Sequence, residues 1–231
     1  MVIVLGSGGH TAEMMSLLRD LDPTRYIHRT YIISSGDSFS EKKALEIEKI
    51  IQAKYKSSSA SLTGKGGVDL VTGKGVTDTV TKKGDTDPIT GTWEVKVVTR
   101  AREIHQPLST TPFSSFRCLI DCFRALYESS RTSRAAPLEY PDVIITNGPA
   151  SAVMVIIAAM VLKFIGVAPV WKMKVIYVES WARVTTLSLS GKVLLRTGMC
   201  DKFLVQWDAL AKAINGNGTR KKVDWVGFLV D

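Results

Sequence analysis

The amino-acid sequence predicts an α/β fold: a Rossmann-like, doubly wound parallel sheet forming a single domain over residues 1–231. Two observations carry this expectation. Short apolar runs alternate with segments of helical spacing, the pattern of βα units feeding a parallel sheet. Two of these runs, VIVL and DVIIT, end at a glycine turn just before a helical pattern, where such folds seat ligands. The length suffices for a substantial core, and 45% hydrophobic with 23% charged residues suits a folded globular chain.

The elements follow in order. Val2–Leu5 reads as a short buried strand, and Thr11–Leu18 as a helix, because Met14, Leu17, Leu18 and Leu21 share one side. HRTYIISSGD (28–37) is a second strand ending in a turn. SEKKALEIEKIIQAKY (40–55) is a charged amphipathic helix with Ser40 as its N-cap. Over 57–92 the composition shifts to Gly, Thr, Ser, Lys and Asp. Such a segment buries too little to offset its ordering entropy, so a mobile low-complexity insertion is expected there. TGKG occurs at 63–66 and again at 72–75, but neither copy precedes a helix or completes GxxxxGK[ST].

WEVKVVTRAREIHQP (93–107) supplies a third strand and its exit. Phe116, Leu119, Ile120, Phe123, Leu126 and Tyr127 then mark the apolar face of a helix. PDVIITNGPAS is a fourth strand that breaks at Asn147–Gly148, with Pro149 suited to a first helical turn. The stretch 150–162 is apolar and uncharged, yet thirteen residues fall short of the about 20 that span a bilayer. It is either a helix buried against the sheet or one resting partly in a membrane surface, with Lys163 and Lys172 meeting headgroups. VWKMKVIYVESWARV holds a fifth strand ending at Glu179, and CDKFLVQW a sixth.

A formal charge of +8 favours anionic partners, but no compact Lys/Arg run with interleaved aromatics points to nucleic acid. Cys118, Cys122 and Cys200 read as free thiols of a reducing compartment. A strand begins at the first residues in place of a signal peptide, so the chain is expected to face the cytosol. His28 and His105 have no ligand partners nearby in sequence. With no metal-ligand spacing and no Ser-His-Asp pattern, neither a metal nor a cofactor is expected.

Three loops at strand carboxyl ends converge on one crevice: Gly6–Thr11, Thr146–Ser151 and Glu179–Thr186. GSGGHT, with Gly6, Ser7, Gly8, Gly9 and Thr11, presents backbone N–H groups at a helix N-terminus, where partial positive charge favours phosphate. His10 adds a hydrogen-bonding group or a general base. A dinucleotide fingerprint would carry Gly or Ala at Thr11, and Asp37 comes late for a ribose-gripping acid. A phosphate or diphosphate cradle, a structural turn and a dinucleotide site are the readings of this loop. Asn147 and Gly148 repeat the strand, glycine break and helix, either as an ordinary turn or against the same ligand. Glu179 and Arg183 form either a solvated pair or a site in which Glu179 accepts sugar hydroxyls, Trp181 offers a flat apolar face, Arg183 pairs with phosphate and Ser180 joins them in binding the acceptor.

The ordered motifs VLGSGGHTAEMM, YIISSGDSFSEKKA, RAREIHQPLSTTP, PDVIITNGPAS, VIYVESWARVTTLSLSGK and DKFLVQW closely resemble the asparagine-linked glycosylation protein fourteen family. The resemblance implies the N-terminal half of a two-domain GT-B glycosyltransferase. It implies the acceptor-side, membrane-recruiting subunit of the UDP-N-acetylglucosamine transferase that adds the second GlcNAc to dolichyl-diphosphate-GlcNAc. The catalytic donor-binding half would be a separate chain, asparagine-linked glycosylation protein thirteen, and this chain would be inactive alone. The site would be the endoplasmic reticulum membrane, cytosolic face, and the contiguous nuclear envelope. By matched motif, Gly6–Thr11 would lie at the acceptor diphosphate with His10 facing the reacting sugar. The resemblance also implies docking of the partner on an apolar tail, 225–231, with Trp225, Phe228, Leu229 and Val230.

Two departures stand out. Family members from fungi and animals carry a hydrophobic anchor before the first strand, whereas here Met1 abuts Val2–Leu5. Either the chain is shortened at its start, or it meets the membrane through basic surface and apolar helix contacts. The 57–92 insertion is the other. A pure membrane scaffold and a stand-alone nucleotide-binding oxidoreductase are the rival readings.

Overall fold

Apolar, β-branched runs buried on both faces build the centre of the molecule, as a parallel sheet requires. The computed structural model describes residues 1–60, 82–83, 90–102, 111–132, 140–148, 150–216 and 222–228. In chain order the elements are β1 (Val2–Val4), α1 (Gly9–Leu18), β2 (His28–Ser34), α2 (Ser38–Ala60), β3 (Lys82–Lys83) and β4 (Thr92–Val98). Then come α3 (Thr111–Thr132), β5 (Val143–Asn147), α4 (Ala150–Phe164), β6 (Lys174–Val178), α5 (Leu189–Thr197), β7 (Lys202–Val205), α6 (Asp208–Asn215) and β8 (Asp224–Trp225).

The strand order is β3-β4-β2-β1-β5-β6-β7-β8. Every described pairing is parallel except β3 with β4. The chain starts at the middle of the sheet, builds out through β2 and β4, and returns to lay β5 on the other side of β1. That reversal is a topological switch point, where loops leaving β1 and β5 diverge and open a crevice. Val4 pairs with Thr146, so both strands end level at its floor.

Alternation along the strands sorts the core. Ile3, Leu5, Tyr31 and Ile33 pack with Met14 and Leu18 of α1 and with Ala44, Ile47 and Ile51 of α2. Val2, Val4, Ile32 and Ile144 face the opposite way, under α3 and α4. Val175, Tyr177, Phe203 and Val205 continue the sheet beneath α4, α5 and α6. Helix α4 contributes to two of these clusters and buries residues around most of its circumference, so the core placement is the one observed. No helix among the described residues is long and apolar enough to cross a membrane.

Two sequence expectations change. Helix α2 begins earlier than expected, and its cap is Asp37: Ser40 lies in the first turn and donates its N–H to Asp37 Oδ1 at 3.0 Å. On α3 the buried apolar residues are Cys118, Cys122, Ala125 and Leu126, while Phe116 and Tyr127 are exposed and Leu119 and Phe123 are only partly covered. Small side chains win this face because α3 packs closely on α4, which presents Ala152, Ala158 and Ala159 to the same cluster. The Cys118 and Cys122 sulfurs lie 3.9 Å apart as buried thiols. That mutual contact, then burial, pushes the Cys122 thiol up. Helices α5 and α6 and the edge strands β3 and β8 are additional to the expected elements. Most of 57–92 falls outside the described residues, with 57–60 continuing α2 and Lys82–Lys83 forming β3.

A buried ion pair ties α2 to the sheet. Arg29 donates from Nε and Nη2 to the two Glu48 carboxylate oxygens, each at 2.7 Å, and Tyr31 donates to the same carboxylate at 2.7 Å. The remaining Arg29 nitrogen reaches the carbonyls of Tyr26 and Thr90. Removing one partner leaves a buried charge unmatched, so Glu48→Ala should destabilise the fold by about 3–5 kcal/mol in urea unfolding. A loss below about 1 kcal/mol, the range of exposed pairs, would contradict this account.

Candidate functional site

The glycine turn after β1 opens the crevice. Gly8 holds φ 64° and ψ −125°, a conformation reserved for glycine, and no side chain caps α1 behind it. Ser7, Gly8 and Gly9 are exposed, and Gly6 is buried beneath them. The first N–H groups of a helix have no intrahelical partner, so this end offers donors and partial positive charge to an anion. Thr11 turns into the fold. Its hydroxyl contacts the Gly6 carbonyl and lies 2.6 Å from Ser40 Oγ, which donates to Asp37 Oδ2 at 2.7 Å. The loop is thereby tied to α2. Asp37, placed after β2 where a ribose-binding acid would stand, has both oxygens engaged in capping that helix.

His10 sits one residue inside α1, half-buried, with Nδ1 at 2.8 Å from Asn147 Oδ1. Asn147 ends β5 and donates Nδ2–H to Glu13 Oε2 at 2.6 Å. Ser180, after β6, donates its hydroxyl to Glu13 Oε1 at 2.7 Å. Glu13, Asn147 and Ser180 are all buried. The three loops expected to meet therefore do meet, and the group that joins them is Glu13, absent from the sequence-derived site. Its only signal is position: three residues after His10, it shares that side of the helix. Gly148 completes the seat. At φ +101° it has no room for a Cβ, which would lie 2.7 Å from His10 Cγ. Beside it, Ser34 and Ser151 hydroxyls pair at 2.9 Å across the ends of β2 and α4.

Glu179 directly follows β6, its carboxylate turned inward and almost wholly buried. Oε1 accepts from the Ser180 N–H at 3.1 Å, and Oε2 from the Ser188 N–H and hydroxyl at 3.1 and 3.0 Å. Ser188 in turn caps α5, and a Cβ on Gly191 would collide with Glu179 Oε2. Burial, then the Glu179 charge, push the Tyr177 phenol up. The solvated Glu179–Arg183 pair is not formed; Arg183 lies on the exposed rim beside Trp181. Trp207 donates Nε1–H to the Trp181 carbonyl at 2.5 Å and receives Phe228 edge-on, ring centroids 4.9 Å apart. Trp225 and Phe228 are themselves exposed, while Leu229 and Val230 lie outside the described residues.

A doubly wound sheet whose switch point carries an exposed glycine turn and a histidine, with Asp37 engaged in capping α2, defines a Rossmann-type crevice. The chain belongs to the family described as "Oligosaccharide biosynthesis protein Alg14 like", which matches residues 1–65 and 68–229. It is 35% identical to the UDP-N-acetylglucosamine transferase subunit alg14 of Aspergillus fumigatus, over 94% of this chain and 100% of that one. The Schizosaccharomyces pombe subunit of the same name is 31% identical over 99% of this chain and 82% of its own length. The Mus musculus subunit is 29% identical over 91% of this chain and 76% of its own. No solved structure matches the chain significantly.

The close seat of His10 makes one substitution decisive. Gly148→Ala should cost about 1–3 kcal/mol in unfolding and shift the His10 ring resonances, because the new methyl must displace the imidazole. Unperturbed His10 resonances would show that the ring does not rest on Gly148.

Proposed function

We propose that this chain is the acceptor-side subunit of a UDP-N-acetylglucosamine transferase that extends dolichyl-diphosphate-GlcNAc in N-glycan precursor synthesis. In this reading a separate donor-binding subunit, asparagine-linked glycosylation protein thirteen, joins it at the cytosolic face of the endoplasmic reticulum membrane. The observation that carries the reading is the crevice itself. An open glycine turn and a histidine stand at the switch point, while Asp37 is committed to capping α2. A glycine turn suited to a diphosphate, a histidine suited to accept a proton and, among the described residues, an Asp37 already engaged with Ser40 suit the acceptor half of a divided enzyme. The same committed Asp37 weighs against a stand-alone dinucleotide oxidoreductase.

The chemistry follows from the geometry. The acceptor diphosphate lies against the first N–H groups of α1, with Arg183 on the rim as a second anion partner. An acceptor hydroxyl attacks the anomeric carbon of the donor sugar. As the new C–O bond forms, the bond from that carbon to the diphosphate breaks, and UDP leaves with the electron pair. The hydroxyl proton passes to His10 Nε2.

Membrane contact is supported by the outer face of α3. Phe113 and Phe116 are 66% and 60% exposed, and the Arg117 guanidinium sits 5.3 Å above the Phe113 ring. A helix following a parallel strand starts at that strand's carboxyl edge, so these aromatics lie toward the edge of the sheet on which the crevice opens. Exposed apolar area with adjacent arginine suits a headgroup boundary. Docking of the partner is supported by the exposed Trp225, Val226 and Phe228.

Reconstitution with the donor-binding subunit, assayed for transfer from UDP-N-acetylglucosamine to a short dolichyl-diphosphate-GlcNAc analogue, tests the reading. Activity should require both chains. His10→Ala should lower turnover about 10²- to 10⁴-fold while the two chains still co-purify; unchanged turnover would favour a scaffold without a role in the crevice. Deleting residues 228–231 should abolish co-purification, and retained binding would place the docking surface elsewhere.

A further inference from the structure

We propose that Glu13 is a positioning residue that selects the tautomer of His10 through Asn147; this rests on the reading of His10 as the proton acceptor. The argument is one of donors and acceptors. An ionised carboxylate only accepts hydrogen bonds. Asn147 must therefore turn its amide NH₂ toward Glu13 Oε2, at 2.6 Å, and its carbonyl oxygen is left facing His10 Nδ1, at 2.8 Å. A carbonyl oxygen also only accepts, so Nδ1 must carry the ring hydrogen. Nε2 then holds the lone pair. That nitrogen is the one able to take a proton from an acceptor hydroxyl.

The array has no slack. Asn147 is fully buried and Glu13 nearly so, which denies either side chain a water-mediated alternative orientation. Ser180 occupies the second carboxylate oxygen at 2.7 Å, so Glu13 is satisfied without rotating away from Asn147. Gly148 admits the imidazole against its Cα, where a Cβ would lie 2.7 Å from His10 Cγ. The negative charge also favours the imidazolium that forms as the proton arrives.

Packing alone would be preserved by Glu13→Gln, which keeps the size and shape. A glutamine amide both donates and accepts, however, so it satisfies Asn147 in either orientation and no longer dictates which His10 nitrogen is protonated. The test uses the full chain with ¹⁵N-labelled histidine at a pH where the ring is neutral, His10 being assigned by the loss of its signals in His10→Gln. The wild-type ring should be the Nδ1–H form. Glu13→Gln should introduce the Nε2–H form with the thermal midpoint unchanged. In the two-chain complex, kcat should fall about tenfold or more with the acceptor KM within about twofold. The acidic limb of the pH–kcat profile should move to lower pH, since the charge favouring imidazolium is gone.

A wild-type Nε2–H ring overturns the proposal without need of any variant. So does a Glu13→Gln protein with unchanged tautomer and kcat. If the tautomer responds as expected but His10→Ala leaves transfer intact, the positioning by Glu13 stands and the reading of His10 as proton acceptor fails.

Discussion

One buried carboxylate sets the shape of the crevice. Removing the charge of Glu13 from water is expensive unless donors replace the lost hydration, and the two that do so come from different loops. Asn147 arrives at the end of β5 and Ser180 just beyond β6, while Glu13 itself rides on the first turns of α1. None of these three segments can shift alone without leaving a buried polar group unmatched. The site is held for the same reason that the fold is stable there: the cost of an unpaired charge ties the ends of β5 and β6 to α1.

The device is used twice, and Ser180 connects the two copies. Its hydroxyl donates to Glu13, and its backbone N–H donates to Glu179, the second buried carboxylate. Glu179 then holds Ser188 and the start of α5. Two glycines make room for this wiring: Gly148 lets the His10 ring approach the backbone, and Gly191 lets the Glu179 carboxylate approach α5. The sheet places strand ends side by side, and polar side chains between them convert that proximity into defined geometry. Thr11, Ser40 and Asp37 do the same on the other flank, pinning the glycine turn to α2.

The layered sheet was legible because its strands are apolar runs bounded by glycine turns, and each run needs cover on both faces. Convergence of the loops was legible as well, since parallel topology sends them to one edge. Short elements were not. Helices α5 and α6 span nine and eight residues, too few for periodicity to stand out, although Ser188 and Gly198 cap α5 in plain view. Helix α3 misled because periodicity reports where large apolar residues lie, whereas its burial follows the close approach to α4 that Cys118, Cys122 and Ala125 permit. Glu13 was invisible for a different reason. A glutamate near a helix start reads as a solvated partner of the helix dipole. Its burial depends on residues 134 and 167 positions further along the chain.

The same wiring reaches the end of the described chain. Phe228 packs on Trp207, Trp207 holds the Trp181 carbonyl, and Trp181 follows Ser180 directly. Strand β8 runs parallel to β7, so the segment leaving it emerges at the carboxyl edge of the sheet, the edge on which the crevice opens three strands away at β5. In the proposed reading, a donor-binding subunit held by this segment would stand over the glycine turn and not against the back of the sheet. The proposed transfer between two chains would demand that arrangement, because the anomeric carbon would have to come within bonding reach of an acceptor hydroxyl at His10. A docking strip on the opposite edge would have needed a long arm to reach round the domain. The exposed aromatics of the tail and the buried carboxylates of the crevice thus belong to one edge of the sheet, and parallel topology is what gathers them there.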